Sequence, residues 1–219
     1  ASWTAPVLWR FLHLQEICHT PGFYSHGPEK RSAAASRHPA GRQNFRNCPR
    51  FSLSLSKIGS MSYLSELLRL EQIRLDLRGT DKSAVLKELV AVIPEIRKEP
   101  SHQELFLHAL LERERLHTTA TGDGVALPHA RNPLTGFLKR PILVFGRHPA
   151  GVPFGALDNI PVHLLFLIAA PSLTDHLAML ARLSRVLRDG KLRSGLLEAK
   201  TPEDVVRQVQ EAEQRNAKP

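Results

Sequence analysis

Eight residues, Gly122-Asp123-Gly124-Val125-Ala126-Leu127-Pro128-His129, constrain this 219-residue chain more than any other stretch. Two glycines around an aspartate make a tight turn, because glycine tolerates positive φ and aspartate bonds its own backbone. Val125, Ala126 and Leu127 then read as a short buried strand. Pro128 lacks the N–H that a ladder needs and holds Leu127 extended, so the strand is expected to stop there. His129 is then the first side chain past the strand end. In open α/β sheets, ligands collect beyond the carboxyl ends of strands, so a histidine there is well placed to meet one. On spacing alone, a chemical role and a plain loop histidine both stay open.

The flanking sequence predicts one α/β domain, with helices and strands mixed and no internal repeat. Tyr63 to Leu70 reads as a short helix, and Ile73 to Leu77 alternates like a strand with Arg74 and Asp76 outward. Gly79 breaks that strand. Thr80 can cap a helix to about Arg97, kinked or ended early at Pro94. Ser101-His102-Gln103-Glu104 has the form of a capping box opening the next helix. Pro141 to Arg147 is a strand. Val162 to Ala170 is a nearly all-apolar one, which implies a central strand buried on both faces. Ser172 or Thr174 caps a helix to about Arg188. Gly190 breaks it, Lys191 to Ala199 forms another, and Thr201-Pro202-Glu203-Asp204 starts the last.

Composition narrows the classes. With 42% apolar residues and no run of membrane-helix length, the chain is ordinary globular material. Of the formal net charge of +9, most lies in residues 1–60, which hold 8 Lys/Arg and 2 Asp/Glu, against 22 and 19 in residues 61–219. Charge therefore gives no support to nucleic-acid binding by the domain. Both cysteines, Cys18 and Cys48, lie in the first quarter. Neither a disulfide framework nor a cysteine-based metal site can be built in the remainder, and a cytoplasmic setting is expected. Residues 1–60 show no sustained period, and three readings are open: a disordered basic tail, a targeting segment, or upstream sequence preceding a true start at Met61. The last is favoured, because Met61 is the first methionine and regular structure begins just after it.

Among the polar residues, Arg113 continues the inward stripe Phe106-Ala109-Leu110 at i+3 and i+4. An arginine ending a buried stripe is costly unless something anionic meets it, whether a structural partner such as Glu95 or Glu114 or a ligand. His176 lies in the first turn of its helix, on the stripe His176-Met179-Leu180-Leu183-Leu187, and faces the sheet. It is either a core histidine bonded to a carbonyl or a member of a site near His129, if the two preceding strands run parallel. A helix N-terminus favours anions and a neutral, donating imidazole. Thr119 reads as a turn residue, and Arg131 is a phosphate partner or a solvated charge. Asp158-Asn159 reads as turn chemistry, His148 and His163 as structural, and His102, His108 and His117 as surface residues. No ligand spacing links His129, His163 and His176, so no metal site is expected. Neither a nucleophile elbow nor a Gly-Lys-Ser/Thr phosphate loop occurs.

Leu111 to Arg131, LERERLHTTATGDGVALPHAR, resembles the active-site segment of the type 2 (fructose/mannitol) enzyme IIA domains of the bacterial phosphoenolpyruvate-dependent phosphotransferase system. It is most similar to their stand-alone nitrogen-regulatory branch. Arg113-Glu114, Thr119, Gly122 and Val125-Ala126-Leu127-Pro128-His129 fall in register. His117 and Ala120 stand where glycine is usual, and Thr121 where an aliphatic residue is usual. The match runs from about Met61 to the C-terminus, making 61–219 the domain and 1–60 an extension outside it.

The resemblance implies a single domain with a central mixed β-sheet flanked by helices. It implies His129 as phosphoryl acceptor through Nε2, Arg113 and His176 beside it, and Thr119 near the site, with no cofactor; Arg131 is then placed to meet the phosphate charge. The donor it implies is the phosphocarrier protein HPr or its nitrogen-branch counterpart. The recipient is an enzyme IIB or a regulated protein, and no membrane insertion is expected. The absence of cysteine after residue 60 means that the domain carries no IIB acceptor of its own. Three functions follow for comparison: a regulatory carrier, a sugar-specific transport component, and a protein-binding module that is never phosphorylated.

Overall fold

The computed structural model describes residues 63–131 and 138–217; the expectations for residues 1–60 lie outside them. Five strands form one open sheet: β1 (Leu68–Arg74), β2 (Ala120–Gly122), β3 (Val125–Ala126), β4 (Ile142–Val152) and β5 (Val162–Ala169), in the order β1-β4-β5-β3-β2. The sheet is mixed. β1 runs parallel to β4 and β3 parallel to β5, whereas the β4–β5 and β2–β3 pairs are antiparallel.

β5 is the middle strand, as its apolar run implies. Leu164, Phe166 and Ile168 enter one core, while Leu165, Leu167 and Ala169 enter the other. Alternation on a pleated strand produces this division. Each fully buried large side chain stabilises the fold by roughly 1.5–3 kcal/mol relative to exposure. On the first face lie α1 (Leu64–Leu67), α5 (Leu173–Val186), α6 (Gly190–Glu198) and α7 (Pro202–Ala217). On the second lie α2 (Lys82–Val90), α3 (Pro94–Arg97) and α4 (Pro100–Leu116).

Several boundaries differ from the sequence expectation, each for a local reason. The first helix ends at Leu67, and Leu68 already pairs with Leu143 in the sheet. Tertiary pairing overrides a helical pattern there. The N-terminus of α1 is held from afar, by buried Glu213 of α7, whose carboxylate accepts from Leu64 N at 2.7 Å and Ser65 N at 3.1 Å. Asp81, rather than Thr80, caps α2 through Ala84 N at 2.9 Å. At Pro94 the expected early end, not the kink, is found: α2 stops at Val90 and Pro94 opens a separate helix. In α4, Pro100 takes the first position, where its missing N–H costs nothing, so the chain enters the helix before the Ser101 box can form. β4 continues past Arg147 across a register shift to Val152, with Gly151 at φ +76°. Gly190 begins α6 beneath an Asp189 cap rather than merely interrupting the chain.

Candidate active site

The Gly122-Asp123-Gly124 turn holds three consecutive residues at positive φ, +94°, +53° and +72°. Such a run is costly for residues with a Cβ and needs external support. Asp158 supplies it: one carboxylate oxygen accepts from Ile160 N at 3.1 Å within its own turn, and the other from Asp123 N at 2.8 Å. Arg193 of α6 pairs with the Asp123 carboxylate at 3.3 Å.

From this turn the chain enters β3, and the parallel register with β5 carries on past Pro128. Ile168 N donates to Pro128 O at 2.9 Å, and His129 bridges Ile168. His129 thus sits at the carboxyl end of the sheet, but it is 5% exposed rather than projecting into solvent. His176 reaches the same place from the first turn of α5, which Ser172 caps through Asp175 N at 3.1 Å. The parallel β3–β5 arrangement brings the two histidines together, with ring centroids 5.1 Å apart and planes at 61°.

Arg113 arrives from the last turns of α4. Its Nε donates to His129 Nε2 across 3.2 Å, and its Nη1 to His117 O at 2.8 Å. Neither candidate structural partner holds it by a hydrogen bond. Glu95 pairs with Arg140 at 3.0 Å, and the Glu114 oxygens are occupied elsewhere, although the Glu114 charge favours the guanidinium. On its other side, His129 Nδ1 lies 2.7 Å from Leu127 O. A carbonyl can only accept, so Nδ1 carries the proton and Nε2 an in-plane lone pair. Both neighbours specify one tautomer.

The electrostatics keep both imidazoles neutral. Burial, then the Arg113 charge, pulls His129 down to about 3 against the opposing Leu127 bond, with His176 adding to the decrease. Burial, then Arg113, also lowers His176. Burial lowers Arg113 itself; Glu114 opposes this, and the nearby charge of Arg131 adds to it. A guanidinium beside two neutral imidazoles, with the charge of Arg131 acting on it, suits an incoming dianion.

Thr119 is 1% exposed, and its hydroxyl meets Glu114 Oε2 at 2.6 Å instead of pointing into open space. Arg131 is exposed, and its charge reaches Arg113. His163 joins neither histidine: its Nδ1 donates to His148 O at 3.0 Å, at the far end of β5. Lys82 escaped the sequence reading as a builder of the site. Glu114 enters that reading only as a candidate partner of Arg113, and Asp158 as turn chemistry. The bond to Asp158 from Ile160 N bears the turn out, while its bond from Asp123 N goes further. A signal for Glu114 was present, since it lies four residues after buried Leu110 on the inward face, where an acid needs donors.

The fold and site together define a mixed open-sheet α/β domain with a buried, neutral histidine at the carboxyl end of β3, faced by an arginine. The profile described as "Phosphoenolpyruvate-dependent sugar phosphotransferase system, EIIA 2" matches residues 66–212, and the chain belongs to that family of phosphoryl carriers. It is 37% identical over 128 residues to a nitrogen regulatory protein of Bradyrhizobium diazoefficiens, covering 58% of this chain and 80% of that one. It is 35% identical over 153 residues to a fructose-specific EIIA component of Haloferax volcanii, covering 68% and 97%. A fructose-specific EIIABC component of Bacillus subtilis is 35% identical over 145 residues, 65% of this chain but only 22% of that protein. Among solved structures, the nitrogen regulatory protein IIA-Ntr of Neisseria meningitidis is 30% identical with a TM-score of 0.59, covering 67% and 98%. No helix among the described residues is long and apolar enough to cross a membrane.

Proposed function

We propose that this protein takes a phosphoryl group on His129 Nε2 from a phosphohistidine of an HPr-type donor and acts chiefly as a cytoplasmic regulatory carrier. The observation that carries this reading is the His129 tautomer. Leu127 O holds the Nδ1 proton, so the Nε2 lone pair is available at neutral pH without a general base.

In the transfer, Arg113 Nε leaves Nε2 and turns to the phosphoryl oxygens. The Nε2–phosphorus bond forms as the donor's nitrogen–phosphorus bond breaks, and that electron pair stays on the donor imidazole. No proton needs to move. The arriving phosphoryl brings roughly −1.5 to −2 charges. Arg113, Arg131 and His176 lie around the position where that charge develops, and charge-assisted bonds from arginine are the stronger kind. Thr119 contributes through its loop.

Nitrogen-regulatory relatives, including one solved structure, favour signalling by phosphorylation state. Fructose-specific relatives at similar identity support a second reading, in which the group passes to an enzyme IIB cysteine. Incubation with phosphoenolpyruvate, enzyme I and HPr tests the proposal. One acid-labile, base-stable phosphoryl group is expected, absent in His129→Ala and slower to form in His176→Ala. An unlabelled wild-type protein with competent donors contradicts it, and efficient onward transfer to a fructose-type IIB favours transport.

A further inference from the structure

Glu114 is the most heavily engaged buried acid next to the site, and the phosphoryl chemistry gives it nothing to do directly. Its side chain is 3% exposed. Its two oxygens receive Thr119 Oγ1 at 2.6 Å, Thr119 N at 3.0 and 3.1 Å, and Lys82 Nζ at 3.0 Å. Lys82 reaches it from the start of α2, passing over the Phe154 ring at 4.9 Å.

The bonds continue beyond this cluster. Thr119 O accepts from Leu127 N at 3.0 Å, and Leu127 O accepts from His129 Nδ1 at 2.7 Å. Thr119 therefore stands one residue, Leu127, away from the proton that sets the His129 tautomer. The same loop also holds Arg113, because His117 O receives its Nη1 at 2.8 Å. Glu114 closes that loop between its own helix and Thr119, and its charge directly favours the cationic form of Arg113.

We infer that Glu114 is a positioning residue for phosphoryl transfer. By clamping Thr119, with Lys82 as counter-ion, it fixes the loop that orients both His129 and Arg113. Resting on the assignment of His129 as acceptor, this adds a residue that acts only through others. Misplacement of a nucleophile by a fraction of an ångström is felt far more in kcat than in docking of a protein donor.

Glu114→Gln in the full chain is the first test. One acceptor oxygen becomes a donor facing another donor, either Lys82 Nζ or the Thr119 N–H. Thr119→Val is the second; it removes only the 2.6 Å bond and nearly preserves shape. Each variant is compared with wild type in kcat and KM for labelling by phospho-HPr. Separately, with no donor present, histidine ring nitrogen shifts report the His129 tautomer. Expected for both is a kcat lower by about tenfold or more with KM within about twofold, together with partial loss of the Nδ1–H form. A folded variant set with wild-type tautomer and wild-type kcat overturns the inference, and Thr119→Val alone decides if Glu114→Gln fails to fold. An unlabelled wild type would instead remove the acceptor assignment, and the tautomer measurement would still report on the clamp.

Discussion

At His129 two ordinary bonds settle what the ring can do. The carbonyl of Leu127 keeps the proton on Nδ1, and Arg113 meets the lone pair on Nε2. A pH dependence follows from the same burial. The folded ring is held down to about 3, against an ordinary value of about 6.5 in the unfolded chain. Between those values the unfolded state binds the extra proton, so the fold loses stability as pH falls through that window and keeps the full contribution above it. Thermal midpoints at pH 7.5 and pH 5 should therefore differ more for the wild type than for His129→Gln, which has nothing to protonate. Equal drops in the two proteins would argue against a buried neutral imidazole. Much at this scale was legible in the sequence. The short apolar run before Pro128 indicated that His129 stands at the carboxyl end of that strand, although pairing with β5 continues past the proline. Helical periodicity indicated the inward faces of Arg113 and His176. The engagement of Thr119 by Glu114 was not, because it depends on how the loop after α4 folds back on its own helix.

Among the elements, the β2–β3 hairpin is the one on which the site most depends, and its turn is its weak point. Gly124 sits at φ +72°, and an added Cβ would lie 3.4 Å from Pro161 O. Gly124→Ala should cost about 1–2 kcal/mol from the left-handed backbone alone. The expected result in denaturant unfolding is a lower midpoint with an unchanged slope, accompanied by slower labelling of His129. An unchanged midpoint would mean that the turn is not strained as described. The glycine-aspartate-glycine signature made this turn readable in advance, as did the apolar run of β5. Boundaries set by tertiary partners were not readable. The change from α1 to β1 at Leu68 is decided by Leu143 across the sheet, and the start of α1 by Glu213 from the last helix. Neither partner is near in sequence.

For the whole molecule, the family match over residues 66–212 and the two cores on either face of the sheet account for a complete layered domain within the described residues. The proposed domain limit at Met61 has a direct consequence. A chain beginning at Met61 should melt at the same temperature as the full 219 residues and be labelled at the same rate. A drop of several degrees would place residues 1–60 in the fold. Whether the carrier signals or transports depends on partners that recognise its surface, and relatives of both kinds stand at comparable identity. The chemistry common to both readings is the proposed bond at His129. Phosphorus–nitrogen correlation in the full chain, labelled with nitrogen-15 histidine and phosphorylated through enzyme I and HPr, observes that bond. A single phosphoryl group coupled to Nε2 of His129, with the Nδ1 proton retained, is the predicted result. Coupling to Nδ1, or to His176, would contradict it.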